Sequence, residues 1–323
     1  MADAYTGVRE RLQERLDALI QRMEEATEAG EELSEGWLRQ EARFRSLIEQ
    51  VDTELAAYSD VAAPVIRAAQ AGSVAAAGSH AEALTRAALG KAPAEAVASV
   101  AWNKLPTEAV ETLVGFASDG SPLRDLLAEI EPQARERLER GLVEGVATGR
   151  NPRQIARQVA PGIDGFRHRV ETIARTEHMR AYREASRQSY LANADTVTGW
   201  TWTSAADRRT CPACFAMHGT LHTVDEVLDD HPRGRCSMAP SVRSLAEIVG
   251  DPSIPDTRPV IAKGEDLFAA LPAEQQQEIL GPLYEPWQAG KIPFSAFVTQ
   301  DSDPRWGTMR RASSVAEALA AAA

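Results

Sequence analysis

The chain has 323 residues, a formal net charge of −12 and 44% hydrophobic residues. This allows a substantial core and two or three domains, or one long helical domain with appendages. No run of about 18 apolar residues occurs to cross a bilayer, and Met1-Ala2-Asp3-Ala4-Tyr5 lacks the basic and apolar regions of a secretion signal. Three cysteines are too few and odd in number for a disulfide framework, so the expected setting is a reducing cytosol or release by lysis. The acidity argues against a whole-surface nucleic-acid platform.

Residues 7–29 are expected to form an amphipathic helix. Val8, Leu12, Leu16, Leu19 and Met23 recur at helical spacing, and Gly30 supplies a stop. A second helix near 33–58 carries Trp37, Phe44, Leu47, Ile48, Val51 and Leu55 on one face. Together they predict an antiparallel helical hairpin or a partner-binding coiled coil. Residues 61–105 are rich in Ala, Gly and Ser, and are expected to be weakly helical with loops near Ala71-Gly72-Ser73 and Gly78-Ser79. Pro106 suits the first turn of a helix reaching about Ala117.

Leu123, Leu126, Leu127, Ile130, Ala134, Leu138, Leu142 and Val146 mark a periodic helical stretch ending at Gly149. Asn151-Pro152-Arg153-Gln154 has the pattern of a helix start, with Asn151 as N-cap and Gln154 able to reach back to it. Pro161-Gly162 is expected to end that short helix, and a long one follows from about Gly165 to Asn193. After Asp195 the period changes. Thr196–Thr203 is β-prone, and 219–223 offers a second short strand. Residues 251–262, with three prolines, have the composition of a linker. A helical part from Gly264 to about Gly290 and an Ala-rich end complete the chain.

The fold expected is therefore mainly α, with long helices and helical hairpins around a small α+β module holding a two-stranded piece. The divisions are 1–105 (helical, partner-binding), 106–194 (helical), 195–245 (the small α+β module), 246–262 (linker) and 263–323 (helical).

The stretch 207–240 carries the chemistry. Cys211 and Cys214 form C-x₂-C, and His231 and Cys236 follow as H-x₄-C. This set uses every cysteine of the chain and supplies the four soft or borderline ligands that tetrahedral Zn²⁺ prefers. A closed set of four leaves no position for water, so such a zinc would be structural. A redox pair or buried, unligated thiols are the alternatives, and His218 and His222 are rival fourth ligands. Arg208, Arg209, Arg233 and Arg235 flank the ligands and could offset their negative charge. No zinc-deaminase, zincin, P-loop or nucleophile-elbow pattern occurs, and the expectation is that the chain is not an enzyme.

Charge is uneven. Residues 1–60 hold fifteen acids against seven Arg, whereas 150–187 hold nine Arg against four acids. The second region could meet an acidic partner or phosphates, although a solvated helix face with i,i+4 pairs explains it as well.

In order, the chain reads Ile173-Ala174-Arg175-Thr176-Glu177, Gly199-Trp200-Thr201-Trp202, Asp207-Arg208-Arg209-Thr210-Cys211-Pro212-Ala213-Cys214, His231-Pro232, Arg235-Cys236 and Pro240. Over about 120–240 this resembles the head-morphogenesis domain of phage minor head proteins, the family named after protein F of phage Mu. Residues 264–306 also resemble the C-terminal part of some such proteins. The family often shows His-Pro-x-Cys-Arg-Cys. Here the turn reads His231-Pro232-Arg233-Gly234-Arg235-Cys236 and has one cysteine fewer.

The resemblance implies a low-copy virion protein at the portal vertex, present in the host cytoplasm during assembly. It would bind portal protein and capsid components and serve head assembly and DNA packaging or ejection, with no membrane and no small-molecule substrate. Within that reading Arg180, Arg183 and Arg187 are the candidate contacts to portal acids or phage DNA. Arg175 and Glu177 are candidates for internal polar bonds that fix the helix. A zinc-containing DNA-binding protein using the Arg-rich helix 165–193 is the alternative.

Overall fold

The structure is a computed structural model and describes residues 2–91, 94–106 and 122–322. In chain order the helices are α1 (Ala2–Glu28), α2 (Glu35–Gln40), α3 (Ala42–Ala88), α4 (Ala94–Ser99), α5 (Pro122–Ala128), α6 (Ile130–Ala147) and α7 (Pro152–Leu191). Then come β1 (Val197–Thr203), α8 (Pro212–Met217), β2 (Leu221–Thr223), β3 (Ser237–Val242) and α9 (Leu245–Val249). The chain ends with α10 (Gly264–Ala269), α11 (Ala273–Leu280), α12 (Tyr284–Gln288), β4 (Val298–Asp303), β5 (Gly307–Ala312) and α13 (Val315–Ala320). The architecture is mainly helical with small antiparallel sheets. The helix expected from Pro106 to Ala117 lies outside the described residues, apart from Pro106 itself.

Two compact units divide the chain, one formed by 1–69 with 119–177 and the other by 70–118 with 178–323. In the first, α1 and the start of α3 form an antiparallel hairpin. Tyr5 meets Tyr58 edge-on at 5.7 Å, Arg11 pairs with Glu54 at 2.5 Å, and Arg43 donates to the Ala18 carbonyl at 2.9 Å. The partner's number falls as the first helix rises. The stripe Leu12, Leu16, Leu19 and Met23 is fully buried, as are Leu47 and Val51 of the opposing helix. The apolar periodicity of these helices therefore serves an internal core.

Two expected breaks are absent. Residues expected to be weakly helical with loops lie instead in a continuous α3, which runs through Pro64, Gly72 and Gly78 to Ala88. Alanine carries the best helix propensity, and packing outweighs a glycine cost of about 1 kcal/mol. In the second unit Val74 and Ala77 pack against Ala181 and Ala185 of α7. Ser73 bonds the His178 ring at 2.7 Å, and His80 bonds the Tyr182 hydroxyl at 3.0 Å. Small side chains here let two helix backbones approach. Likewise α7 passes unbroken through Pro161. A proline removes one hydrogen bond and strains one turn, which a 40-residue helix survives.

The sheet around the cysteines has three strands in the order β2-β1-β3, one more than expected. Pro240 sits inside β3, opposite Trp200. Proline is tolerated there because β3 is an edge strand. Trp200 and Trp202 on the central strand are buried together with Cys214, Cys236 and Met238. The C-terminal part, expected to be helical, also holds the hairpin β4–β5. Residues 250–263 lack regular structure, yet Arg258 donates to the Val242 carbonyl at 2.6 Å and Thr257 to the Lys91 carbonyl at 3.0 Å.

Candidate metal centre

Pro212 starts α8, and Cys211 is its N-cap residue, its sulfur accepting the Cys214 N–H at 3.4 Å. Proline suits a first helical turn because that turn's N–H has no partner to lose. One turn of helix then turns Cys211 and Cys214 toward the same point. The opposite wall is the turn between β2 and β3. His231 Nε2 lies 3.4 Å from Cys211 Sγ and 3.5 Å from Cys214 Sγ. The ligand atoms of Cys214, Asp230 and Cys236 form a second cluster within 4.8 Å of one another, sharing Cys214 with the first. Cys211, Cys214, His231 and Cys236 also line a hollow of about 60 Å³.

The electrostatics test whether these donors suit a metal. The Cys214 thiol, with His231 beside it, holds the Cys211 thiol down to about 5. The His231 imidazole is raised to about 9, first by its bond to Cys211. The Cys214 thiol is pushed far up by its contacts with Cys211 and Cys236 and by burial. Cys211 and His231 favour a thiolate–imidazolium pair. Further thiolates in a buried space need a cation, and a divalent metal supplies it while accepting the neutral imidazole. Three sulfurs and one nitrogen therefore fit a metal ion, and the cluster could bind one.

The rival histidines are engaged elsewhere. His218 Nδ1 accepts the Ser204 N–H at 3.0 Å. His222 stacks on Trp200 at 4.2 Å and bonds Glu226 and Thr220.

Asp230 was invisible in the spacing, since an acid beside a donor usually means a solvated surface. Its side chain is fully buried and meets Arg183 at 2.7 Å. Gly234 makes room for it: a Cβ there would lie 1.9 Å from Asp230 Oδ2. The long turn closes through Gly234 N–H donating to the His231 carbonyl at 2.9 Å, with Arg233 in the left-handed region at φ 64°. All four flanking arginines are exposed; Arg235 forms a two-pronged pair with Asp207 at 2.9 and 2.6 Å, and Arg209 lies 3.6 Å from the same carboxylate. The Arg235 guanidinium in turn drives the Asp207 carboxyl far below its usual range.

The arginines grouped as partner contacts have different surroundings. Arg183 is 6% exposed and spends its guanidinium on Asp230 and on the carbonyls of Cys236 and Gly234. Arg180 donates to the Trp306 carbonyl at 2.7 Å, and Arg187 pairs with Glu184 at 2.6 Å. Glu177 is buried and Arg175 exposed on the same helix.

Residues 136–238 match the family model for phage Mu protein F like protein. The Mu F-like segment starts inside α6, takes in all of α7 and the cysteine helix, and ends two residues beyond Cys236. It thus contains the complete donor set and the arginine beneath it. This is the family that the motifs between Ile173 and Pro240 resemble. Neither the curated proteins nor the solved structures contain a match to the chain.

Proposed function

We propose that the protein is a minor capsid, head-morphogenesis component of a tailed bacteriophage that binds the portal and assists head assembly and DNA packaging or ejection. The observation that carries this reading is the Mu F-like match over 136–238, which coincides with the metal cluster and its supporting helix. The metal is zinc, held by Cys211, Cys214, His231 and Cys236 in a closed, structural site. In small modules such a site contributes on the order of 10 kcal/mol of folding free energy. We take the protein to be non-enzymatic and to reside in the virion head, at the portal vertex. No helix among the described residues is long and apolar enough to cross a membrane.

The test is cosedimentation of the full chain with the portal ring encoded beside it, with and without a zinc chelator. Binding lost on chelation supports docking through the zinc module. Binding that survives moves the contact to the helices. No binding by zinc-loaded protein removes the portal reading and favours direct DNA contact. That alternative, built on helix 165–193, must work without Arg183, whose guanidinium faces inward. It predicts salt-dependent DNA binding by the full chain.

A further inference from the structure

We propose that Asp230 and Arg183 are positioning residues for the metal donors, a role resting on the metal-binding reading above. One carboxylate organises the turn that supplies two of the four donors. Its Oδ1 accepts the His231 backbone N–H at 2.9 Å, and its Oδ2 accepts the Cys236 backbone N–H at 3.3 Å. Oδ1 also lies 3.7 Å from Cys214 Sγ. Three donors are thus referred to a single group. The backbones of His231 and Cys236, five positions apart, and the sulfur of Cys214, 17 positions before His231, thus meet on one carboxylate.

A buried carboxylate needs a partner, and α7 provides it. Arg183 Nη2 donates to Asp230 Oδ2 at 2.7 Å, and its Nε donates to the Cys236 carbonyl at 2.9 Å. The second bond leaves the Cys236 peptide unit held on both sides, its N–H by Asp230 and its C=O by Arg183. Arg183 Nη2 also donates to the Gly234 carbonyl at 3.1 Å. Only a planar guanidinium offers several donors in one fixed fork, so a lysine cannot reproduce this. Groups that orient metal ligands in this way are worth roughly 10- to 100-fold in metal affinity.

Asp229 is the natural comparison. It is the neighbouring residue, carries the same charge and pairs with Arg310 at 2.8 Å, yet it belongs to neither donor cluster.

The experiment compares the full chain with Asp230→Asn, Arg183→Lys and Asp229→Asn. Zinc affinity is read by competition with a chromophoric chelator, and ligand identity by the absorption of the Co²⁺-loaded protein. Asp230→Asn and Arg183→Lys should each weaken zinc binding by about 10- to 100-fold while keeping a tetrahedral three-thiolate cobalt spectrum. Asp229→Asn should leave affinity unchanged. Unchanged affinity in Asp230→Asn overturns the proposal. So does equal weakening in Asp229→Asn, which would indicate general loosening of the loop. A cobalt spectrum altered in Asp230→Asn overturns it in favour of Asp230 as a direct ligand. If the unaltered chain itself binds no zinc or cobalt, the metal-binding reading fails first, a result distinct from all of these.

Discussion

Arg310 grips Asp229 twice. Its backbone N–H donates to the Asp229 carbonyl at 2.6 Å, and its Nε donates to the carboxylate at 2.8 Å. The residue before Asp230 is thereby tied to β5, while Asp230 itself is tied to α7. The C-terminal part also shares its core with the cysteine helix. Phe215, next to Cys214, is fully buried among Phe268, Phe294 and Phe297. Gly264 packs so closely that a Cβ would lie 1.8 Å from the Phe215 carbonyl oxygen. Residues beyond the Mu F-like match thus complete the packing around the cysteine helix.

Replacing Arg310 by Met should therefore expose the hairpin β4–β5 without disturbing the donors. Limited proteolysis should cut the variant faster between 298 and 312, with zinc content unchanged. Loss of zinc in this variant would count against the separation.

Gly234→Ala should be severe for a substitution of one methyl group. The added carbon would stand 1.9 Å from Asp230 Oδ2, so either the turn or the Arg183–Asp230 pair must give way. Overpacking of this kind costs about 1–3 kcal/mol, and more where a buried ion pair is broken. Chemical denaturation of the zinc-loaded protein would measure it. A cost within error would mean that the turn relaxes freely.

Chelation of the full chain should lower the thermal midpoint and slow exchange protection should vanish first in β1–β3. Acid should act in the same direction. Thiolates and a neutral imidazole must be regenerated for binding, so affinity falls as pH falls. Calorimetry with and without a chelator at two pH values checks both statements.

Leu16→Ala should cost about 2–5 kcal/mol, because Leu16 is fully buried in the hairpin of α1 and α3. Val65→Ala, at 45% exposure, should cost far less. Similar small losses at both positions would return the stripe on α1 to a partner-binding role.

Glu317 offers a pH test away from the metal. Its carboxylate receives Arg311 at 2.8 and 3.0 Å and the Ser314 N–H at 2.7 Å. Arg311 foremost holds it near 2, against an ordinary 4.5. A lowered folded value means that the contribution is complete above 4.5 and fades as pH falls toward 2. Carbon-13 titration of the carboxylate should show this, and Arg311→Gln should return the transition toward its ordinary position.

Much of this protein was legible in its residues. The apolar spacing of Leu12, Leu16, Leu19 and Met23 specified a helix face and its burial, because helical period and hydrophobicity are local properties. The spacing of Cys211, Cys214, His231 and Cys236 singled out a set that could bind a metal, because few residue types bind soft metals. What escaped was set by contacts distant in the chain. Asp230 and Arg183 stand 47 residues apart, and each alone has the look of a solvated surface charge. The polar strand β4 has no apolar alternation and owes its place to pairing with β5. Pro161 and Gly78 signal breaks locally, yet long helices carry both. Packing along the neighbouring turns outweighs one missing hydrogen bond or one flexible residue. The sequence by itself determined the apolar helix faces and the Cys/His set that could bind a metal. The tertiary structure decided where the charges point, because the burial that forces two charges to pair exists only after the chain has folded.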